Sequence, residues 1–160
     1  MTRIAPCLWF NGDAEAAAEF YVAIFSDAAI GTVSRYGPGM PFVAGTALMV
    51  EFTLAGQRVQ ALNGGPQFTF SEAISLSVSC RDEAEVDHYW NGLLAGGGTE
   101  GRCGWLKDRF GVSWQIVPDG LRVLLKDPDP GRRGRAMQAM MGMKKLDLAA
   151  MRAAADGAAP

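Results

Sequence analysis

The chain has little of what metal, disulfide and nucleic-acid chemistry usually require. Among its 160 residues there is one histidine, and the three cysteines, Cys7, Cys80 and Cys103, show no CxxC spacing. Structural zinc sites draw closely spaced ligands from these residue types, and a disulfide framework uses cysteines in pairs, so we expect neither and predict reduced thiols. The formal net charge is −2, which leaves no overall positive field to attract nucleic acid or anionic lipid.

Long apolar segments are also missing. No run of apolar residues approaches the length of about 18 that a membrane-spanning helix needs, and the N-terminus lacks the pattern of a signal peptide. We therefore predict a cytoplasmic protein without a membrane partner. The one concentration of basic residues, between positions 132 and 145, is flanked by aspartates. Mixed charges of this kind predict a solvated helix face and not a nucleic-acid patch.

What the chain does contain is enough apolar sequence for one ordinary domain with a core, because 49% of its residues are hydrophobic and 20% are charged. We expect a single domain over residues 1–120. The composition changes after Asp119, and the sequence Asp127-Pro128-Asp129-Pro130 breaks the chain before two predicted helices. Residues 121–160 are therefore predicted to be a C-terminal helical extension whose methionines serve as adaptable packing.

Two stretches repeat the same order of elements. The first predicts a strand over residues 4–10, a helix over 14–25 capped by Asn11-Gly12-Asp13, and strands over 29–36, 46–54 and 57–62. The second predicts a strand over 73–79, a helix that starts at an Asp82 cap and stops at glycines 96–98, and strands over 99–102, 103–107 and 112–117. We predict an α+β fold of two paired βαβββ modules, residues about 1–65 and 66–120, whose curved mixed sheets carry a helix on the convex side and a groove on the concave side.

The hairpin between Gly104 and Pro118 is the most informative stretch. It reads as two strands around an Asp108-Arg109-Phe110-Gly111 turn, whose charges suit solvent and turn geometry. In its second strand one set of alternate residues is apolar, whereas the other set, Ser113, Gln115 and Val117, is small or able to hydrogen-bond. This alternation predicts a core face and a cavity wall.

Several motifs in succession resemble a known family. They are the first strand Pro6-Cys7-Leu8-Trp9-Phe10 with NGDAEAAAEFYVAIF, then EFTLAGQRVQALNGGPQFTFSEAISLSV, CGWLKDRFGVSWQIVP and DPDPGRRGRAMQAMMGMKKLDLAAM. Together they are similar to the PhnB-like branch of the vicinal oxygen chelate superfamily (glyoxalase, bleomycin resistance, extradiol dioxygenase), a branch often labelled 3-demethylubiquinone-9 3-methyltransferase. The resemblance covers nearly the whole chain, and it implies the glyoxalase-like paired βαβββ fold and a homodimer.

The resemblance also implies where metal ligands would stand. Metal-dependent members place two histidines and two glutamates at positions that correspond here to Pro6, Gln60, Ala73 or Ser75, and Gln115. Neutral side chains are poor ligands for zinc, nickel or iron, and the only histidine, His88, lies in a predicted helix, so we expect no catalytic metal. No glycine-rich turn joins a parallel strand to a helix, so the sequence shows no cofactor site for methyl transfer either.

The candidate ligand-binding residues follow from this placement and from side-chain alternation. Gln60 and Gln115 either bind a polar ligand or hydrogen-bond the neighbouring backbone. Trp105 either stacks on a planar ligand or fills core, as Trp114 is expected to do. Leu8 and Phe10 share the face of Pro6 and are expected to line the groove, and Ser75 and Ser113 offer hydroxyls. The full set is Leu8, Phe10, Gln60, Ser75, Trp105, Ser113 and Gln115.

Residues with catalytic potential lack partners in the sequence. Cys7 and Cys103 have no neighbouring histidine that would activate a thiolate, so we interpret them as small buried residues. Glu51 and Glu72 are possible acids or bases with no evident partner.

Three functions stay open. The first is binding or sequestration of a small organic molecule without a catalytic metal, as in antibiotic-binding resistance proteins. The second is a metal-independent enzyme for a small carbonyl, aromatic or quinone-like compound, which includes the methyltransferase label and requires a titratable group facing the groove. The third is a structural or regulatory dimer with an incidental pocket, which Trp105, Phe10 and the C-terminal methionines would then fill.

Overall fold

The computed structural model describes residue 2 and residues 4–157, and the chain divides into two compact units, Met1–Phe70 and Ser71–Pro160. The predicted extension runs to residue 160, of which residues 158–160 lie outside the described residues. Within the described part of the chain, no helix is both long enough and apolar enough to cross a membrane.

The first unit is one βαβββ module. It contains β1 (Cys7–Phe10), α1 (Ala14–Ile24), β2 (Ala28–Arg35), β3 (Ala47–Leu54) and β4 (Gln57–Asn63). The four strands form a mixed sheet in the order β1-β4-β3-β2, in which β1 and β4 are parallel and the other pairs are antiparallel. The first strand begins later than predicted. The Pro6 carbonyl accepts a hydrogen bond from the backbone N–H of Gln60, but Pro6 has no N–H of its own to donate to the neighbouring strand.

The second unit repeats this order. It contains β5 (Leu76–Cys80), α2 (Glu83–Leu94), β6 (Thr99–Glu100), β7 (Trp105–Lys107) and β8 (Ser113–Pro118). Its sheet has the order β5-β8-β7-β6, with β5 and β8 parallel. The α+β class and the two βαβββ modules with mixed sheets are therefore confirmed.

Each helix packs on one face of its own sheet. In the first unit, the Tyr21 ring of α1 stacks on Phe52 of β3 with ring centroids 6.2 Å apart. In the second unit, buried residues of α2 contribute to a core with Trp114 and Ile116 of β8. The opposite face of each sheet is left for polar and half-buried side chains.

The start of α1 is fixed by a residue from β4. Asp13 lies at the N-cap, within the predicted Asn11-Gly12-Asp13 cap, but its side chain makes no capping bond. Instead Asn63, which is fully buried, accepts hydrogen bonds from the amides of Gly12 at 2.8 Å and Ala14 at 3.0 Å, and its amide donates to the Ala47 carbonyl at 2.8 Å. The turn places these amides over the end of β4, where the Asn63 oxygen satisfies them. The Asp82 cap of α2 is confirmed, since its carboxylate accepts from the Glu85 amide at 2.9 Å.

The hairpin of β7 and β8 depends on a buried carboxylate. Asp108 is 3% exposed, which corrects the expectation that its charge faces solvent. Its Oδ1 accepts from the Phe110 amide at 2.8 Å and the Val112 amide at 3.1 Å, and its Oδ2 accepts from the Trp114 indole at 2.8 Å. A carboxylate with three donors is stable inside a protein because its lone pairs are satisfied. Asp108 therefore closes the turn and also fixes Trp114 in the core.

The C-terminal part forms three helices, α3 (Leu121–Leu125), α4 (Pro130–Gly142) and α5 (Leu148–Ala155). The last two were predicted, whereas α3 was not. They share a small core of Leu121, Leu124, Ala136, Leu146, Met151 and Ala155. The segment before α5 is hydrogen-bonded to the hairpin, because the amides of Cys103 and Gly104 donate to the carbonyls of Met143 and Lys144 at 2.8 and 2.7 Å.

We predict that Asp108→Ala lowers the free energy of unfolding by about 3 kcal/mol or more, because it leaves the Trp114 indole and two amides without their acceptor. Urea denaturation followed by tryptophan fluorescence measures this change. The matched control is Asp147→Ala, which removes an exposed helix cap and is expected to cost about 1 kcal/mol. An Asp108→Ala cost no larger than that of the control would contradict the assigned role.

Candidate functional site

The candidate site is the face of the second sheet that points away from α2. In β8 the buried Trp114 and Ile116 alternate with Ser113, Gln115 and Val117. The register extends this second set to the neighbouring strands, because Gln115 pairs with Trp105 and Ser77, and Ser113 pairs with Lys107. We call this surface the open face, and it comprises Ser75, Ser77, Ser79, Trp105, Lys107, Ser113, Gln115 and Val117.

Four of the predicted ligand-binding residues meet on the open face. They are Ser75, Trp105, Ser113 and Gln115. The Gln115 amide donates to the Ser75 hydroxyl at 2.8 Å. Gln115 therefore bonds a neighbouring side chain and not the backbone, and its carbonyl oxygen makes no hydrogen bond with the described residues.

One end of the open face contains a cavity of about 180 Å³, which we call the Ser113 recess. Ser113 is 2% exposed, and its hydroxyl has no hydrogen-bond partner among the described residues. Burying a hydroxyl without a partner is unfavourable, so this group is suited to receive a ligand atom or a water molecule. The other lining residues are Glu72, Thr99, Glu100, Gly101, Trp105, Leu106 and Lys107.

The carboxylates around the Ser113 recess are paired and ionised. Glu72 forms an ion pair with Lys107 at 2.5 Å, which corrects the expectation that it has no partner. The hydrogen bond from Lys107 lowers the pKa of Glu72, and hydrogen bonds from Lys144 and Trp90 lower the pKa of Glu100. Both carboxyl groups ionise at a lower pH than an ordinary glutamate, so neither holds a proton that it could donate near neutral pH.

The other end of the open face borders a larger cavity of about 570 Å³, which we call the α3 recess. Ser77, Ser79, Gln115 and Val117 form one wall, and α3 with its C-cap residue supplies Leu121, Arg122, Leu125 and Lys126. Sequence reasoning missed these four residues. Their only signal is a pair of leucines and a pair of cations, each four residues apart, and this is too short a stretch for a helical period to stand out.

Gln60 lies in the first unit and is described separately. It lines a cavity of about 370 Å³ with Ile4, Ala5 and Arg58. Its amide donates to the Glu51 carboxylate at 3.2 Å, and Arg58 lies 3.7 Å from the same carboxylate. Glu51 therefore has two partners, contrary to expectation.

Leu8 and Phe10 do not lie on the same face of their sheet as Gln60, which corrects their assignment to the groove. They are 6% and 4% exposed and pair in register with the buried Ala61 and Asn63, on the face covered by α1. Alternation places Cys7 and Trp9 on the face of Gln60 instead. A shift of one residue along a strand moves every side chain to the other face of the sheet. The prediction counted alternate residues from Pro6, which assigned Leu8 and Phe10 to the wrong face.

The residues at which the family resemblance would place metal ligands do not fit a transition metal. Gln60, Ser75 and Gln115 are neutral, and Gln115 and Ser75 are bonded to each other. Within residue 2 and residues 4–157, no group of three or more His, Cys, Asp or Glu side chains is placed to hold a metal ion. The first shell of a zinc, nickel or iron site needs imidazole, thiolate or carboxylate ligands.

The three thiols are free, and two of them, Cys7 and Cys80, are poorly activated. Cys7 is exposed, which corrects its interpretation as a buried residue, although partial desolvation raises the pKa of its thiol. Burial, reinforced by Glu85, Asp119 and Asp82, raises the pKa of Cys80 to about 11. Cys103 is half-buried and donates to the Met140 carbonyl at 3.6 Å. At neutral pH the thiols of Cys7 and Cys80 therefore stay protonated and are weak nucleophiles.

Comparison with known proteins agrees with this architecture. The model of the family described as 3-demethylubiquinone-9 3-methyltransferase matches residues 2–117. A Bacillus cereus PhnB protein described under the same methyltransferase name is 34% identical, with 73% of this chain and 99% of that chain covered and a TM-score of 0.68. Among curated proteins, none matches the chain.

Two further structures share the fold at lower identity. A Pseudomonas aeruginosa protein is 21% identical over 74% of this chain and 100% of its own, with a TM-score of 0.60. The Listeria monocytogenes fosfomycin resistance protein FosX, in complex with Mn(II) and sulfate, is 16% identical over 78% of this chain and 95% of its own, with a TM-score of 0.55.

The two βαβββ modules, with the similarity to the PhnB protein and to FosX, define the glyoxalase-like fold that the resemblance implied. Within that class, the chain belongs to the 3-demethylubiquinone-9 3-methyltransferase family, in its PhnB-like branch.

We predict that Ser113→Ala raises the free energy of unfolding by about 1 kcal/mol in the absence of ligand, because it removes a buried hydroxyl that has no protein partner. Chemical denaturation measures the change, and Ser77→Ala, on the same face but exposed, is the control with an expected change near zero. A marked loss of stability in Ser113→Ala would mean that the hydroxyl is already satisfied in the folded protein.

Proposed function

We propose that this protein binds a small organic molecule on the open face of its second sheet, without a catalytic metal. The observation that carries the proposal is the buried Ser113 hydroxyl, which lacks a protein partner and lines a cavity beside Trp105. Ser75 and Gln115 add a hydrogen-bonded amide and hydroxyl on the same face. Such a surface, in which a few polar groups converge beside an aromatic side chain, is typical of small-molecule sites.

Binding is favoured over catalysis by the electrostatics of the Ser113 recess. A general acid or base works best with a pKa near the operating pH. The pKa values of Glu72 and Glu100 are instead lowered by their basic and indole partners. The two carboxylates therefore act as fixed negative charges that hold Lys107 and Lys144 in place.

The methyltransferase name of the family suggests a methyl-transfer enzyme as an alternative. The glycine turns of this chain do not favour that alternative. Transfer from a methyl-donor cofactor usually involves a glycine-rich turn between a parallel strand and a helix. Here Gly64 and Gly65 follow β4 and bond the Phe10 carbonyl, and Gly96 and Gly97 terminate α2 with positive φ angles. These glycines shape turns at the ends of elements.

A structural dimer with an incidental pocket is supported less well than a binding protein. That hypothesis needs Phe10, Trp105 and the C-terminal methionines to fill the site. Phe10 faces α1, Met151 is buried in the core of the C-terminal helices, and Met137 and Met141 are exposed. A homodimer remains our proposal for the assembled protein, because the family resemblance implies it, and a cytoplasmic location remains a separate proposal.

The proposal is tested by elemental analysis and native mass spectrometry of the purified protein, followed by a fragment screen with two-dimensional ¹H–¹⁵N NMR. We expect less than stoichiometric metal and shifts of the Ser113 and Gln115 amides by small carbonyl, aromatic or quinone-type compounds. These shifts should be unchanged by a chelator.

Variants then assign the site. Gln115→Ala should weaken binding of the best fragment about threefold to tenfold, because one hydrogen bond is lost. Gln138→Ala, an exposed glutamine of α4, is the matched control. Stoichiometric zinc, nickel, iron or manganese that is required for binding would refute the metal-free proposal.

A further inference from the structure

We infer that the ligand is an organic anion whose charged group is held in the α3 recess by Arg122 and Lys126. This inference rests on the proposed function and adds the chemical class of the ligand. The α3 recess, at about 570 Å³, has room for a small organic molecule.

The charge of the α3 recess is of one sign. Arg122 and Lys126 are its only ionisable lining residues, and neither forms an ion pair within the described part of the chain. Three other basic residues of the second unit do have partners, because Arg132, Lys144 and Lys145 are paired with Asp127, Glu100 and Asp87 respectively. Arg122 in α3 and Lys126 at its C-cap are one turn apart, since the Lys126 backbone amide donates to the Arg122 carbonyl at 3.1 Å. Two uncompensated cations at this spacing repel each other, and an anion between them removes that repulsion.

The rest of the lining suits the remainder of such a molecule. Ser77, Ser79 and Gln115 offer hydroxyl and amide groups, which donate to oxyanions, whereas Val117, Leu121 and Leu125 form an apolar wall. The Ser113 recess contrasts with this arrangement, because Glu72 and Glu100 outnumber Lys107 there. An anionic group is therefore favoured at the α3 end of the open face and disfavoured at the other end.

Carboxylates and phosphates share the recognition chemistry offered by a guanidinium and an ammonium group. The experiment therefore compares three probes with the same aromatic body: 1-naphthoate, 1-naphthyl phosphate and the neutral 1-naphthamide. Each is titrated into the full chain, and dissociation constants and amide shifts are read from ¹H–¹⁵N spectra.

We expect both anions to shift the amides of Ser77, Ser79, Gln115 and Arg122, and to bind about tenfold more tightly than 1-naphthamide, as expected when charge-assisted contacts are gained. The double variant Arg122→Gln/Lys126→Gln should lose about that factor for the anions while the affinity for 1-naphthamide stays the same. Tighter binding of the phosphate than of the carboxylate would identify the head group as a phosphate, and the reverse order would identify a carboxylate.

The control for net charge is Arg102→Gln, an exposed arginine of the second unit that lines neither recess. It is compared with the single variants Arg122→Gln and Lys126→Gln, which change the net charge by the same amount. Because the substituted residues are exposed, the variants are expected to fold, and their spectra show this directly. Equal affinities for the anions and 1-naphthamide on the open face would overturn this inference while leaving the proposed function intact. Anion shifts confined to other surfaces, or an equal loss in Arg102→Gln, would also overturn it.

Discussion

The site depends on the hydrogen bonds that Asp108 accepts. Because one carboxylate binds two turn amides and the Trp114 indole, it fixes both the closure of the hairpin and the direction in which β8 presents its side chains. With Trp114 held in the core, alternation sends Ser113 and Gln115 to the opposite face. A slip of one residue at this turn would bury the polar set and expose the tryptophan. The side chains that the open face presents thus depend on a buried charge that lines neither recess.

In the first unit, a neutral residue holds a connection between a helix and a strand. Asn63 joins the start of α1 to the end of β4 through bonds to Gly12, Ala14 and Ala47. An amide is suited to this place because it both donates and accepts, whereas Asp108 is surrounded by donors only. The duplicated modules therefore share an order of strands without sharing the residues that hold their turns, which is why the repeat is clearer in the pattern of elements than in the residue identities.

The alternation of β8 predicted the open face correctly because a single register, fixed by a short hairpin, determines it. The residues of β1 that face α1 could not be predicted in this way. The strand β1 pairs in parallel with β4, which is distant in sequence, and no local turn fixes the register of this pair. The cap of α1 was missed for the same reason, as Asn63 is far from the helix along the chain. The α3 segment was missed because five residues are too few for a helical period to stand out. Local patterns thus predicted the sheets, whereas contacts between distant segments determined the details of the site.

The family resemblance implied that Gln60, Ser75 and Gln115 stand at the positions of metal ligands, and the structure shows that Gln115 and Ser75 are bonded to each other. An amide and a hydroxyl give this surface hydrogen-bonding groups and no charge. Fold and function are therefore separable here, and the properties of the cavity have to be read from its own side chains.

The helix α3 has a consequence for how this protein differs from its relatives. The family model ends at residue 117, so both cations of the α3 recess belong to the segment that follows the shared module. Leu121 lines the recess and, with its neighbour Leu124, packs into the core formed with α4 and α5. The recess is therefore composite: its hydroxyl and amide groups come from the sheet within the matched stretch, whereas both of its charges come from the C-terminal segment, so a change confined to that segment would alter the charge of the recess and leave the sheet unchanged.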